Sequence, residues 1–299
     1  MPAEGIQFVN RSDLLTYEEM IRLSIILADH GVNKFRITGG EPFVRKDLIH
    51  FLKNLGEING VENVSITTNG ILTKKYIHEL KQIGISNINL SLDTFDRKKF
   101  QEITRRDEFE NVRSTLFSLI ESGLNVKINC VVMNGVNSDD IVPLTRLSLN
   151  LPVDVRFIEE MPFNGSERKN NDDWNHIKIL EEIQKVFPSI TPVISSKNST
   201  SQQYSIPGAK GRIGIIAAYS RTFCGSCNRL RINATGQLRT CLYGRDELDL
   251  RHLIREGSSD EQIISAIRQS IQNRAVDGFE AEKRKNQIKL NESMSKIGG

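Results

Sequence analysis

"KFRITGGEPFVRKDLIHFLKNLG", residues 34–56, reads as one structural unit. Its first five residues form a short strand, the glycines open a turn, and the remainder runs into a helix. The unit recurs along the chain. "VENVSITTNG" (61–70) leads to a helix from Lys74 to Ile83, and "SNINLSLD" (86–93) to helical stretches up to Gly123. "NVKINCVVMN" (125–134) precedes "SDDIVPLTRLSL" (138–149), and "VDVRFIEE" (153–160) closes the series. Strands alternating with helices, in units of roughly 25–35 residues, predict successive βα units around a parallel sheet. The expected fold is α/β, an incomplete (β/α) TIM-like barrel in preference to a flat doubly wound sheet, with a C-terminal extension that carries three of the four cysteines.

Upstream, "TYEEMIRLSIILADHG" (16–31) predicts a helix, with Thr16 and Glu19 as a capping box and Gly31 as a stop. Downstream, "FNGSERKNNDD" (163–173) is rich in turn residues and marks a boundary, giving two domains, 1–163 and 164–299. A helix from Trp174 to Val186, the polar run "SSKNSTSQQ" (195–203) and hairpin-like strands follow. Two helical patterns near 246–257 and 259–273 come next, then a basic tail, "EKRKNQIKLNESMSKIGG" (282–299), which reads as a solvated end.

The chain has 299 residues, with 40 basic side chains against 37 acidic ones and a net charge of +3. That balance supports neither nucleic acid nor an anionic membrane as a partner. No apolar run has the length of a membrane span, and "MPAEGIQFVNRSD" (1–13) lacks the pattern of a signal peptide, so the expected location is cytoplasmic. In that compartment thiols stay reduced, and a tight cysteine cluster is more often a metal site than a disulfide framework.

Polar residues gather where the predicted strands end: Thr38, Gly39, Gly40 and Glu41; Thr67, Thr68 and Asn69; Ser91 and Asp93; Arg156 and Glu159. Taken singly, each is better read as a turn or helix cap. Four strand ends behaving alike point to a ligand mouth, because βα loops converge there.

Three of the four cysteines lie in "CGSCNRLRINATGQLRTC", residues 224–241. Cys224 and Cys227 are spaced to offer both sulfurs to one metal from a single turn. The following residues read as a hairpin turning near Ala234 to Gly236, which brings Cys241 opposite residue 229. Strand alternation then puts Cys227, Arg229 and Arg231 on one face, thiolates beside guanidiniums, as a metal site next to an anion site requires. Spacing alone leaves zinc, with Cys130 or His252 as a fourth ligand, level with a three-cysteine iron–sulfur cluster that keeps one iron open. Cys130 itself reads as a small buried hydrophobe. Trp174 and the five histidines form no constellation.

The stretches "RITGGEPFVRKDL", "TTNG", "INLSLD", "VKIN", "VRFIEEMP", "FCGSCNRLRINATGQLRTCL" and the terminal "MSKIGG" together resemble the radical S-adenosylmethionine GTP 3',8-cyclases of molybdenum-cofactor biosynthesis. The resemblance runs in register over nearly the whole chain. It implies a [4Fe-4S] cluster on Cys224, Cys227 and Cys241 whose open iron meets the purine of GTP. It implies GTP contacts at Lys34, Arg36, Thr67, Lys127, Arg156, Arg229 and Arg231, and S-adenosylmethionine contacts at Gly40, Ser91 and Met161. Arg156, Gly298 and Gly299 match positions that support catalysis, the two glycines in a tail that reaches the active site. The implied reaction is a radical cyclisation of GTP to 3',8-cyclo-7,8-dihydro-GTP, started by reductive cleavage of S-adenosylmethionine. A cyclic pyranopterin monophosphate synthase follows in the pathway, flavodoxin or ferredoxin supplies electrons, and the family is usually homodimeric.

The family also carries a second [4Fe-4S] cluster on a Cys-x3-Cys-x2-Cys motif that typically precedes "MP", whereas this sequence starts at "MPAEG" with no cysteine before Cys130. The expectation is that Met1 is an internal methionine and that the chain as written is inactive without the upstream motif. The competing readings are a non-catalytic remnant that binds GTP, and another radical enzyme with an auxiliary cluster.

Overall fold

The computed structural model describes residues 9–161, 174–194 and 198–286. These fold into two compact units, one of residues 9–40, 47–64 and 228–286, the other of 41–46 and 65–227.

The second unit carries most of the predicted βα series. Its strands are β2 (Asn63–Thr68, its first two residues in the first unit), β3 (Asn87–Ser91), β4 (Asn125–Val132), β5 (Val153–Glu159), β6 (Thr191–Val193), β7 (Ser201–Ser205) and β8 (Ile213–Ile216). They lie side by side in the order β2-β3-β4-β5-β8-β7-β6. The pairs from β2 to β8 are parallel, and β7 and β6 add on as an antiparallel hairpin. The described strands make an open sheet and no pair closes it, in keeping with an incomplete rather than a complete barrel.

The crossovers are helical: α3 (Ile77–Gln82), α4 (Arg97–Thr104), α5 (Phe109–Glu121), α6 (Ile141–Asn150) and α7 (His176–Val186). The helix expected from Lys74 begins instead as a 3-10 turn over Thr73–Tyr76 and becomes α-helical at Ile77. In β4 and β5 every second residue is buried: Val126, Ile128, Cys130 and Val132, and Val153, Val155, Phe157 and Glu159. Each wholly buried aliphatic or aromatic side chain contributes roughly 1.5–3 kcal/mol. Strand alternation turns the intervening residues to the opposite face of the sheet.

The first unit contains α1 (Tyr17–Asp29), β1 (Lys34–Ile37), α2 (Leu48–Gly56), a three-stranded antiparallel sheet of β9 (Arg231–Ile232), β10 (Gln237–Arg239) and β11 (Leu248–Asp249), and helices α8 (Leu250–Arg255), α9 (Asp260–Gln272) and α10 (Gly278–Asn286). The predicted capping box is present: Thr16 Oγ1 accepts from Glu19 N–H and Glu19 Oε2 accepts from Thr16 N–H. Leu15, Leu23, Ile26 and Leu27 pack with Leu238, Leu250, Ile263 and Ile267, so residues far apart in sequence share one core.

Two expectations change here. The helix read over 246–257 starts only at Leu250, because 248–249 pair with β10 and Asp249 caps the helix by accepting from His252 N–H. The basic tail read as a solvated end is helical as far as Asn286. Asp277 Oδ1 accepts from the N–H groups of Phe279 and Glu280, and Glu280 pairs with Arg284 one turn on.

Candidate active site

The polar strand-end residues of the second unit fall into two groups. Thr68, Asp93 and Glu159 are spent on holding the fold. Thr68 Oγ1 donates to Glu41, whose carboxylate also accepts from Asn69 and Phe43 N–H, which ties the turn after GGEP to the end of β2. Burial raises the Glu41 pKa, against the pull of those hydrogen bonds. Asp93 Oδ1 accepts from Val131 N–H at 2.8 Å, and burial pushes its carboxyl up to about 6.

Thr67, Ser91, Lys127 and Arg156 belong to the other group. Thr67, Asn89 and Lys127 are register partners on three adjacent parallel strands. Ser91, Asn129, Arg156 and Gly214 are register partners one step further along. Four of the sequence-predicted positions therefore share one polar face.

Asn89, which sequence reasoning did not single out, joins them. It is 4% exposed, accepts at Oδ1 from Arg156 Nη2, and donates through Nδ2 to the Ile66 carbonyl and Thr67 Oγ1. Gly214 makes room for the arginine, since a β-carbon there would lie 2.3 Å from Ser201 Oγ and 2.8 Å from Arg156 Cγ. Asn129 Oδ1 is buried with no hydrogen-bond partner among the described residues. Met161, just beyond β5, is half-buried.

The first unit holds Lys34, Arg36, Gly40, Arg229, Arg231 and Cys241, and the second unit Cys224 and Cys227. Lys34 and Arg36 alternate with Phe35 along β1; Phe35 packs against the core, and the two cations lie on the other face of the strand. Arg36 has its pKa lowered, first by loss of surrounding water and then by the charge of Arg229. Two guanidiniums that repel one another in this way suit an anion between them. Gly39, at φ +131°, and Gly40 have open space where a β-carbon would stand.

The hairpin turns where read, with Arg231 paired to Arg239 and Ile232 to Leu238, but its pairing does not extend to Arg229 and Cys241, and regular strand alternation does not reach Cys227. Asn233 Oδ1 accepts from the N–H groups of Thr235 and Gln237, and Gly236 completes the turn at φ +83°. Beyond β10, the buried Arg239 pairs with Asp246 at 2.6 Å, Thr240 Oγ1 donates to Glu247, and Gly244 N–H donates to the Cys241 carbonyl. Those loop-fixing residues carried no sequence signal. The outgoing strand is shorter than expected, because Cys224–Ser226 coil into a 3-10 turn and regular pairing starts only at Arg231.

All three clustered cysteines are half-buried. One turn brings Cys224 and Cys227 together, with Cys227 N–H donating to the Cys224 carbonyl at 3.1 Å. Among the described residues no group of three His, Cys, Asp or Glu side chains assembles as a metal site. In kind, two half-buried cysteines on one turn suit iron–sulfur ligation.

Neither expected fourth zinc ligand fits. Cys130 is wholly buried in β4, where burial raises its thiol pKa well above the usual value. The His252 side chain is 68% exposed and faces Glu256. Gly298 and Gly299 lie outside the described residues.

Comparison with known proteins brings the two parts together. Residues 3–147 match the radical SAM superfamily, and residues 153–279 match the family described as Molybdenum Cofactor Synthesis C. A GTP 3',8-cyclase of Alkaliphilus metalliredigens is 38% identical over 302 residues, covering 100% of this chain and 92% of that protein. The chain belongs to the GTP 3',8-cyclase family.

A second family member, the mitochondrial GTP 3',8-cyclase of Arabidopsis thaliana, is 38% identical over 89% of this chain and 69% of its own length. Human molybdenum cofactor biosynthesis protein 1 is 39% identical over 89% of this chain, but only 42% of its length is covered. The chain spans 42% and 50% of the cattle and fruit-fly proteins of the same name. Among solved structures, Streptococcus suis SuiB is similar with a TM-score of 0.59 at 16% identity, over 79% of this chain and 56% of that one, a likeness of fold. No helix among the described residues is long and apolar enough to cross a membrane.

Proposed function

We propose that this protein cyclises GTP to 3',8-cyclo-7,8-dihydro-GTP in molybdenum-cofactor biosynthesis. The observation that carries the reading is the 38% identity, over its whole length, to a protein named GTP 3',8-cyclase. Two features of the chain support it: the mutually repelling Arg36 and Arg229, suited to a polyanion, and the polar sheet face of Thr67, Asn89, Lys127 and Arg156. On that face the buried Asn129 Oδ1 offers an acceptor to a hydroxyl or amino donor of the ligand.

In this reading Cys224, Cys227 and Cys241 hold the [4Fe-4S] cluster, and Gly40, Ser91 and Met161 contact S-adenosylmethionine. When bound, the cluster chemistry and S-adenosylmethionine supply the radical and a binding point for the base. The protein's own part is placement and charge. Lys34, Arg36, Lys127, Arg229 and Arg231 neutralise the triphosphate, Arg156 is held by Asn89 towards the ribose and base, and the apolar backing of the sheet keeps water from the reacting sugar. Gly298 and Gly299 complete the site. A core over 1–163, a cluster-binding extension over 164–299, a second cluster, a homodimer, a flavodoxin or ferredoxin as reductant, a downstream synthase and a cytoplasmic location belong to the same proposal.

Nucleotide protection tests it. GTP should raise the melting temperature of the anaerobically iron-loaded protein by linkage, and ATP should do so far less. Equal protection by both nucleotides, or none by either, overturns the assignment of GTP.

A further inference from the structure

Glu159 ends β5, three residues after Arg156, and its side chain is wholly buried. Its carboxylate takes four hydrogen bonds. Oε1 accepts from the backbone N–H of His176 at 2.7 Å, from His176 Nδ1 at 2.9 Å and from Ser220 Oγ at 2.7 Å; Oε2 accepts from Ser220 N–H at 2.6 Å. An ionised carboxylate only accepts, so Nδ1 carries the proton. Burial alone would raise the Glu159 pKa, but the bonds from Ser220 and His176 outweigh it and hold the group below its usual value.

Ser220 is the fixed end of a continuous run of turns. Arg221 N–H donates to the Ala217 carbonyl, Cys224 N–H to that of Arg221, and Cys227 N–H to that of Cys224. Within that run Arg221 sits at φ +56° with 4% of its surface exposed. A non-glycine residue holds such a conformation only where its surroundings over-determine it. Two bonds from Glu159 to the preceding residue supply part of that constraint.

We propose that Glu159 is a positioning residue for the Cys224–Cys227 pair: by clamping Ser220 it sets the run of turns that presents both thiols. The inference rests on the reading of Cys224 and Cys227 as cluster ligands. It adds that the strand carrying Arg156 also sets the thiolate pair, so one strand serves both substrate and cluster.

Peptide-resolved alkylation of metal-free protein with iodoacetamide tests this without any cluster, in Glu159→Gln and, as a milder change that leaves the carboxylate in place, Ser220→Ala. The glutamine amide turns N–H groups towards N–H donors. It should change the alkylation rates of Cys224 and Cys227 about fivefold or more, since several bonds to a buried carboxylate are lost, while Cys241 and the buried Cys130 keep their rates. Ser220→Ala should give the same pattern at smaller size, and decides alone if Glu159→Gln does not fold. Unchanged rates at Cys224 and Cys227, or equal acceleration at all four cysteines, overturns the proposal. Iron and sulfide uptake by the unaltered protein, measured alongside, reports separately on the cluster reading.

Discussion

Asn89 grips Arg156 with its amide oxygen and the β2 residues Ile66 and Thr67 with its amide nitrogen. One buried side chain on β3 therefore sets the position of a guanidinium on β5 relative to a threonine on β2. Asn89→Leu removes both links and leaves the arginine without its acceptor. GTP affinity should fall by about tenfold, the weight of one charge-assisted hydrogen bond. Asn89→Asp, which would engage Arg156 as an ion pair and compete with an anionic ligand, should weaken GTP at least as much without lowering the melting temperature. Calorimetric titration with GTP and a thermal melt on each variant check both statements.

Arg36 and Arg229 repel one another, so removing one should relieve the nucleotide-free protein. Arg229→Ala is expected to raise its melting temperature by roughly 1–3 °C and to weaken GTP about tenfold or more. The opposing signs distinguish a binding arginine from one that merely packs.

Asp93 gives a pH signature. Its carboxyl is pushed from 3.8 up to about 6, so across that window the native state takes up a proton that the unfolded chain does not. Stability from this group is greatest below the window, declines as pH rises through it and is level above. Asp93→Asn keeps the acceptor for Val131 N–H and removes the buried charge. Its advantage over the unaltered protein should appear between pH 4 and 6 and settle at about 1–3 kcal/mol, measured by urea melts across pH.

Gly236 tests the hairpin that carries Arg229, Arg231 and Cys241. At φ +83°, and with a β-carbon due to fall 2.6 Å from Arg251 Cβ, it admits no side chain. Gly236→Ala should cost roughly 2–4 kcal/mol, seen as a lower urea midpoint.

The βα series was legible because each strand is a short apolar run closed by glycine or a cap residue, and the hairpin because "NATG" can turn in few ways. That Cys224 and Cys227 share one turn was legible from spacing. Asn89 was not: in "NINLSLD" it is one of two asparagines in a strand, and its role depends on β2 and β5, which the sequence does not align. Glu159 and Asp93 were noticed as strand-end polar residues, but only the structure shows that they hold neighbouring segments: the pleat of β5 turns Glu159 away from the face of Arg156, and Asp93, past the end of β3, reaches Val131 N–H on β4. Arg239, Asp246 and Glu247 fix the Cys241 loop through pairings set by the hairpin register, which no local pattern announces.

The most direct test of the account is iron and acid-labile sulfide in this protein after anaerobic reconstitution, beside Cys224→Ala, Cys227→Ala and Cys241→Ala variants. The account predicts iron and sulfide in equal amounts in the unaltered protein and their loss in each variant. Zinc without sulfide, or iron and sulfide that survive all three substitutions, would contradict it.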